Sequence, residues 1–114
     1  MQIKINQKTY ELSGNWNFNE FVKLEEIVAV NTESSLIQLI QKPQFFIGAV
    51  LVTCLATGKS YEDSIELVNQ HCEGGGDFTK LSEMFYNGIQ SDFFQKHVLK
   101  QEETKDQDKK AKGN

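Results

Sequence analysis

The sequence predicts an α+β fold that is mostly α, with an N-terminal β-hairpin, about five helices and a disordered C-terminal tail. Polar and apolar residues alternate over residues 2–12, which is the period of a strand. Between residues 17 and 99, apolar residues recur at helical spacing in segments that Gly, Pro and capping residues separate. Nine of the fifteen residues in 100–114 are charged and Ala111 is the only apolar one, too little to offset the cost of ordering the chain. We therefore expect a folded body at 1–99 and a flexible tail at 100–114.

The hairpin prediction rests on two short alternating runs. Ile3 and Ile5 share one face of the first strand, and Tyr10 and Leu12 repeat the pattern after a turn at residues 6–8. The residue at position 7 is Gln where a tight primed turn prefers Gly, so a two-residue turn and a longer loop both stay open. Because a two-stranded hairpin is marginal alone, its apolar face must pack on helices or on another chain.

Capping residues place the first two helices. Asn17 is followed three residues later by Glu20, which is the spacing of a capping box. The residues expected on the inner face of this first helix are Phe18, Phe21, Leu24 (or Glu25) and Val28. Thr32 or Ser34 can cap a short second helix. Its apolar residues are Leu36, Ile37, Leu39 and Ile40.

The third helix is expected to be the central and most buried element. Pro43 suits its first position, and Gly58 ends it, which gives a helix over residues 43–57. A helix that is apolar on all sides belongs in the core. The apolar residues of this segment are Phe45, Phe46, Ile47, Ala49, Val50, Leu51, Val52, Cys54 and Leu55.

Two further helices follow, each with its own cap. Ser60 with Asp63 caps the fourth helix, and the glycines at 74–76 end it. Its expected core stripe is Tyr61, Ile65, Val68 and Cys72.

Asp77 caps the fifth helix, and Asn87-Gly88 resembles a C-cap. The apolar stripe of the fifth helix is Phe78, Leu81, Phe85 and Ile89. Ser91 can start a separate last helix with Phe93, Phe94, His97 and Val98.

Composition excludes several classes of function. All twelve basic residues are Lys and the net charge is −4, so no guanidinium is present to bind phosphates or guanine, and nucleic-acid binding is not expected. The longest nearly apolar run, residues 45–56, is shorter than the roughly 20 residues that a membrane-spanning helix needs. The N-terminus also lacks the apolar core of a signal peptide. We expect a cytoplasmic protein.

The residues with reactive side chains do not form a recognisable site in the sequence. Zinc normally takes four ligands in paired spacing, whereas only Cys54, His71 and Cys72 are available here, with Cys72 on the expected core stripe. Pairing Cys54 with His71 as a nucleophile has no further support. The glycines at 74–76 lack the GxxxxGK[ST] pattern of a phosphate loop, and adjacent carboxylates point in different directions on a helix. We predict no catalytic residue, no metal ligand and no cofactor.

Two aromatic pairs, Phe45-Phe46 and Phe93-Phe94, are the candidates for contacts with a partner. On a continuous last helix Phe94 would lie roughly opposite Phe85, so one of the two faces would be exposed or bound to a partner. If the helix instead breaks at Gly88, both rings can enter the core. The candidate partner-binding residues are Phe45, Phe46, Phe93, Phe94 and Val98.

The opening residues Ile3-Lys4-Ile5-Asn6-Gln7-Lys8-Thr9-Tyr10-Glu11-Leu12 resemble the start of tail assembly chaperones from siphophages and prophages of Gram-positive bacteria. These proteins commonly begin with a hairpin of the type I-K-I-x-G-K-x-Y-x-L. The layout of the whole chain is also similar, with a helical body, an apolar central helix and a Lys-rich tail ending Lys109-Lys110-Ala111-Lys112. The sequence departs from the family at Gln7, where the family often has Gly.

The resemblance implies a function without catalysis. Such chaperones bind the tape measure protein, keep its apolar helices soluble and recruit tail tube subunits, and many phages also make a longer frameshifted form with the same N-terminal domain. The resemblance and the open edge of the hairpin both predict a homo-oligomer that depends on concentration. The alternative from another class is a small bacterial regulatory or adaptor module that binds one partner through the hairpin edge.

Overall fold

Residues 2–12 and 17–90 are described by the computed structural model. The predicted fold class is confirmed, because within these residues a two-stranded antiparallel hairpin precedes five helices. The elements are β1 (Gln2–Ile5), β2 (Lys8–Glu11), α1 (Phe18–Asn31), α2 (Leu36–Gln41), α3 (Phe45–Thr57), α4 (Tyr61–Glu73) and α5 (Phe78–Gly88). The predicted last helix from Ser91, the tail at 100–114 and the boundary between body and tail lie outside the described residues.

The hairpin closes through a two-residue turn. Of the two alternatives that the sequence allowed, the longer loop is therefore wrong. Ile5 pairs with Lys8, which leaves only Asn6 and Gln7 in the loop. Both residues have positive φ, 49° and 69°, and positive φ at both central positions is the mark of a type I′ turn. Asn tolerates this region well, whereas Gln adopts it with some strain. The buried face of β1 carries Ile3, as expected.

The first helix begins where its cap predicts. The side-chain oxygen of Asn17 accepts a hydrogen bond from the Glu20 amide at 3.0 Å. Phe21, Leu24 and Val28 are the buried residues of α1. Phe18, expected on the same face, is 70% exposed and does not join the core.

The cap of α2 differs from the prediction. Thr32 ends α1 instead of starting α2, because its hydroxyl donates to the Val28 carbonyl at 2.8 Å and accepts from the Ser34 amide at 3.1 Å. The cap is Ser35, which forms a reciprocal capping box with Gln38.

Helix α3 is the centre of the molecule, as predicted. It contacts α1, α4, α5 and β2, and its residues from Gly48 to Leu55 are buried without interruption. Gly58 ends it in the left-handed conformation with φ 74°. The helix starts at Phe45 and not at Pro43, because Gln44 is extended and serves as the N-cap. The Tyr86 hydroxyl of α5 holds Gln44 in place, accepting from its amide and donating to its carbonyl at 3.0 Å each.

The α3–α5 contact is closed by small residues. A Cβ atom on Gly48 would lie 2.5 Å from the Ser82 hydroxyl oxygen and 2.6 Å from Cε2 of Tyr86. Such distances are far below van der Waals contact, so the two helices approach this closely only because residue 48 has no side chain. Leu81 and Phe85 of α5 are buried beside this point, as the predicted stripe requires.

Helix α4 has its predicted cap but a different buried face. The Ser60 hydroxyl accepts a hydrogen bond from the Asp63 amide at 3.2 Å. The buried residue of α4 is Ser64, whereas Ile65 is 46% exposed and Cys72 is exposed. The expectation that Cys72 lies on a core stripe is therefore wrong, because the small Ser64 side chain faces α3 and the larger apolar residues stand to one side.

The cap of α5 is confirmed, and its C-terminus is only partly as predicted. The Asp77 carboxylate accepts from the Thr79 amide at 2.9 Å and from its hydroxyl at 2.6 Å. The regular helix ends at Gly88, but Ile89 keeps right-handed helical geometry and residues 89–90 form a wider π-type turn. The C-cap expected at Asn87-Gly88 does not form, because the fully buried Ile89 stays on the core side in helical geometry.

Candidate functional site

An apolar groove runs between α3 and α4 and ends at the first residue of α5. Its volume is 360 Å³. Most of its lining side chains are apolar, and they come from all three helices. They are Phe46, Ile47, Ala49 and Val50 of α3, Tyr61, Ile65, Val68, Asn69 and Cys72 of α4, and Phe78 of α5. We call this feature the α3–α4 groove.

The groove exists because the fully buried residue of α4 is the small Ser64. Successive residues of a helix are rotated by about 100°, so Ile65 stands a quarter-turn away from Ser64. Tyr61, Val68 and Cys72 follow the same side of α4 as Ile65. The fully buried Ser64 therefore sets the helix contact, Tyr61 and Val68 are half-buried against the core, and Ile65 and Cys72 are exposed along the groove.

Stacked phenyl rings form the end of the groove. The rings of Phe46 and Phe78 lie 4.8 Å apart between centroids and 11° from parallel. Phe46 is nevertheless 75% exposed. Its backbone is fixed two residues earlier, where Tyr86 holds Gln44 with two hydrogen bonds. A large aromatic side chain that is both exposed and fixed in place is typical of an interaction surface.

Cys54 of α3 lies outside the lining of this groove. Burial raises the pKa of the Cys54 thiol, and a buried neutral thiol is a poor nucleophile. The Cys54 sulfur donates to the Ser60 carbonyl at 3.8 Å. Both cysteines are free, with Cys72 exposed at the groove wall. Burial also raises the pKa of the Tyr61 hydroxyl, and nearby Cys54 adds to this effect.

His71 has a structural contact at the other end of α4. Its Nδ1 atom accepts a hydrogen bond from the Asn6 amide at 2.8 Å, and the Asn6 side chain donates to the Gln70 side-chain oxygen at 3.2 Å. The hairpin turn is thereby fastened to α4.

Cys54 contacts Ser60 before the start of α4, and His71 lies eleven positions further, roughly 16 Å along the helix. The fold therefore does not bring Cys54 and His71 together.

A second, more polar cavity of 620 Å³ lies beside His71. It is bordered by the hairpin turn, the glycines at 74–76 and the side chains of Lys4, Asp77 and Lys80. Asp77 is occupied with capping α5, and the hydrogen bond from the Thr79 hydroxyl lowers its pKa. Among residues 2–12 and 17–90, no group of three or more His, Cys, Asp or Glu side chains is placed to hold a metal ion.

The predicted partner-binding residues have different positions. Phe46 lines the α3–α4 groove, whereas Phe45 is 45% exposed but does not line it. Phe93, Phe94 and Val98 lie outside the described residues. Sequence reasoning missed the part of the groove that α4 and α5 form, because it assigned five of the residues there to core stripes. They are Tyr61, Ile65, Val68, Cys72 and Phe78. The sequence does contain a signal for this groove wall, namely the serine directly before Ile65. A small residue there allows α4 to approach α3 on the serine side and leaves Ile65 beside the contact.

No protein family model, curated protein or solved structure matches the chain. None of the helices described within residues 2–90 combines the length and the apolar character needed to cross a membrane. The observation on this chain that bears on function is therefore the geometry of the α3–α4 groove.

Proposed function

We propose that the protein is a non-catalytic phage tail assembly chaperone whose α3–α4 groove binds an amphipathic helix of the tape measure protein. The observation that carries this proposal is the apolar groove itself, which exposes Phe46 and Ile65 to solvent. Grooves of this kind bind the apolar face of a helix through anchors at i, i+3 or i+4, and i+7. The hairpin and the helical layout supply the identity of the partner through the family resemblance.

The groove offers the kind of contact that such a chaperone needs. Burying one Leu, Ile or Phe anchor contributes about 1.5–3 kcal/mol relative to leaving it in water. A tape measure segment with several such residues is protected from aggregation while they lie against Phe46, Ile65 and Val68. No bond is made or broken in this function. Recruitment of tail tube subunits belongs to the same proposal and rests on the resemblance.

The test is co-expression with a tape measure protein, which is the partner that the resemblance implies. We expect wild-type protein to keep that partner soluble and to be recovered with it by affinity purification. Ile65→Glu places a charge in the groove at a partly exposed position, so binding should fall at least tenfold while the melting temperature stays nearly unchanged. The matched control is Val30→Glu on α1, because Val30 is 82% exposed and does not line the groove.

Two outcomes would contradict the proposal. If Ile65→Glu binds like the wild type while Val30→Glu loses binding, the partner site lies elsewhere. If the gene stands in a regulatory operon, without a major tail protein gene and a very long tape measure gene as neighbours, the adaptor alternative is favoured.

A further inference from the structure

A row of carboxylates borders the α3–α4 groove on one side. Helix α4 has the sequence YEDSIELVNQHCE, with four acidic residues and no Lys. Glu62, Glu66 and Glu73 each follow a groove-lining residue by one position, and all three are exposed. At about 100° per residue, they form the next row outward from the groove wall. The apolar wall of α4 therefore has a negatively charged outer edge.

The charges of this row are not neutralised within the described structure. No Lys among residues 2–12 and 17–90 forms an ion pair with Glu62, Glu66 or Glu73. Within this part of the chain the row contacts a neutral group, since the Asn69 side chain donates to Glu73 at 3.2 Å. Exposed like charges on a low-dielectric wall produce a negative potential along it.

The opposite wall carries no charge. Helix α3 has the sequence FFIGAVLVTCLAT, which contains no acidic or basic residue. The nearest lysines in sequence, Lys42 and Lys59, lie beyond its two ends. The groove is thus asymmetric, with a neutral wall on α3 and an acidic edge on α4.

We infer that the occupant of the groove is an amphipathic helix whose apolar stripe is bordered on one side by Lys or Arg. This inference rests on the proposed function and specifies the class of partner helix. A basic side chain next to an apolar anchor lies beside the acidic edge when the anchor enters the groove. Complementary charges of this kind speed association and set orientation more than they add affinity.

The asymmetry also selects the direction of the bound helix. When the apolar stripe faces the groove, its basic border must lie on the α4 side. Reversing the helix end to end would move that border to the neutral α3 side. A helix with a single basic border therefore binds in one direction only.

The test uses the full-length protein and two synthetic 18-residue helical peptides with the same Leu stripe. One peptide has Lys along one border of the stripe, and the other has Glu at the same positions. Fluorescence anisotropy should show about tenfold tighter binding of the Lys peptide at 50 mM salt, from three exposed pairs. Because salt screens exposed charges, this difference should shrink to about twofold at 500 mM salt.

A charge-removal variant assigns the effect to the acidic row. A triple variant should remove most of the difference in affinity between the two peptides. It combines Glu62→Gln, Glu66→Gln and Glu73→Gln. The matched control replaces three exposed acids of the α1 region, Glu25, Glu26 and Glu33, with Gln and changes the net charge equally. The control should retain the preference for the Lys peptide.

The outcomes separate this inference from the proposed function. If both peptides bind equally and Ile65→Glu abolishes both, the groove binds helices and the charge inference is wrong. If neither peptide binds, both proposals are overturned. A peptide of residues 91–100, which contains Phe93, Phe94, Lys96 and Lys100, serves as a competitor. If it binds more tightly than the Lys peptide and displaces it, the occupant is a segment of this chain and the inference is overturned.

Discussion

The apolar helix α3 packs differently against its two neighbours, α5 and α4. Towards α5, Gly48 and Ser82 face each other and the backbones come close enough that a single added carbon would clash. Towards α4, only Ser64 is small and buried, and the bulkier Ile65 is left at the edge of an open groove. At the α3–α5 contact both helices have a small residue, so they pack closely. At the α3–α4 contact a small residue of α4 lies beside a large one, and a groove remains.

This contrast divides stability from binding. Burial in the close-packed α3–α5 contact contributes to the free energy of unfolding, because a core is sensitive to changes of even one carbon. The groove wall leaves apolar surface in water, so its side chains contribute less to folding and remain available to a partner. Substitutions on the two sides of α3 should therefore change different measurements.

The largest effect is expected for Gly48→Ala. The added methyl group meets Ser82 and Tyr86 below contact distance. Overpacking of this kind costs up to about 3 kcal/mol, and a gain in helix propensity of about 1 kcal/mol leaves a net loss of about 2 kcal/mol. Urea denaturation measures this loss in the free energy of unfolding. Gly74→Ala is the matched control, because its nearest neighbour is at 3.4 Å and its stability should change by less than about 0.5 kcal/mol. Equal stability of the two variants would show that the α3–α5 contact is looser than described.

Tyr86→Phe should have the next largest effect on the closed side. It removes both hydrogen bonds to the Gln44 backbone, and since Gln44 is exposed, water replaces part of them. The expected loss in the free energy of unfolding is about 1 kcal/mol. Hydrogen exchange at the Gln44 amide should become faster, and unchanged exchange there would contradict the role given to the Tyr86 hydroxyl.

The same residue predicts a dependence of stability on alkaline pH. Burial raises the pKa of Tyr86 above its ordinary value of 10.0, so the folded state binds this proton more tightly than the unfolded state. The stability from this group is therefore fully present below pH 10 and is lost as the pH rises through the folded pKa. Tyr86→Phe should lose less stability than the wild type between pH 9 and 11. The pKa of Tyr61 is also raised, so Tyr61→Phe removes a second contribution of the same sign. Thermal melts of the two variants across this pH range separate the contribution of Tyr61 from that of Tyr86.

On the groove side, Phe46→Ala should change binding more than stability. Its ring is mostly exposed and is held by one stacking contact, so the free energy of unfolding should fall by only about 0.5 kcal/mol. Binding of a helical peptide should weaken about tenfold. Phe45→Ala is the adjacent control, because Phe45 does not line the groove. Equal loss of binding in both variants would mean that the partner contacts the start of α3 and not the groove.

The smallest effect is expected for Ser82→Ala. Within the described residues, its buried hydroxyl has no hydrogen-bond partner, so removing it should raise the free energy of unfolding by about 0.5 kcal/mol. In the Gly48→Ala background the gain should be larger, because the clash with the hydroxyl is also removed. A double-mutant cycle measures this coupling, and simple additivity would argue against a direct contact between positions 48 and 82.

Local signals predicted most elements of this fold, whereas the start of α3 depends on a long-range contact. The caps at Asn17, Ser60 and Asp77 act within three residues, so their positions are visible in the sequence. The start of α3 was missed because Gln44 is held by Tyr86, 42 residues further along the chain.

The candidate site was harder to predict than the fold. Helical spacing shows that Tyr61, Ile65 and Val68 share a side of α4 but not that α4 turns its Ser64 side towards α3. That rotation depends on packing against another helix and not on local pattern. A stripe expected in the core therefore lines one wall of a groove. Of the two predicted partner residues that the structure describes, Phe46 lies in that groove and Phe45 does not.

The hydrogen bond from the Asn6 amide to His71 has a consequence for the order of folding. It joins residues 65 positions apart, so the hairpin is synthesised well before its docking surface on α4. A two-stranded hairpin is marginal by itself in water, so β1 and β2 acquire lasting order only after α4 has formed. Because closing so long a loop is entropically costly and slow, docking of the hairpin onto α4 is expected to be a late step on the folding pathway.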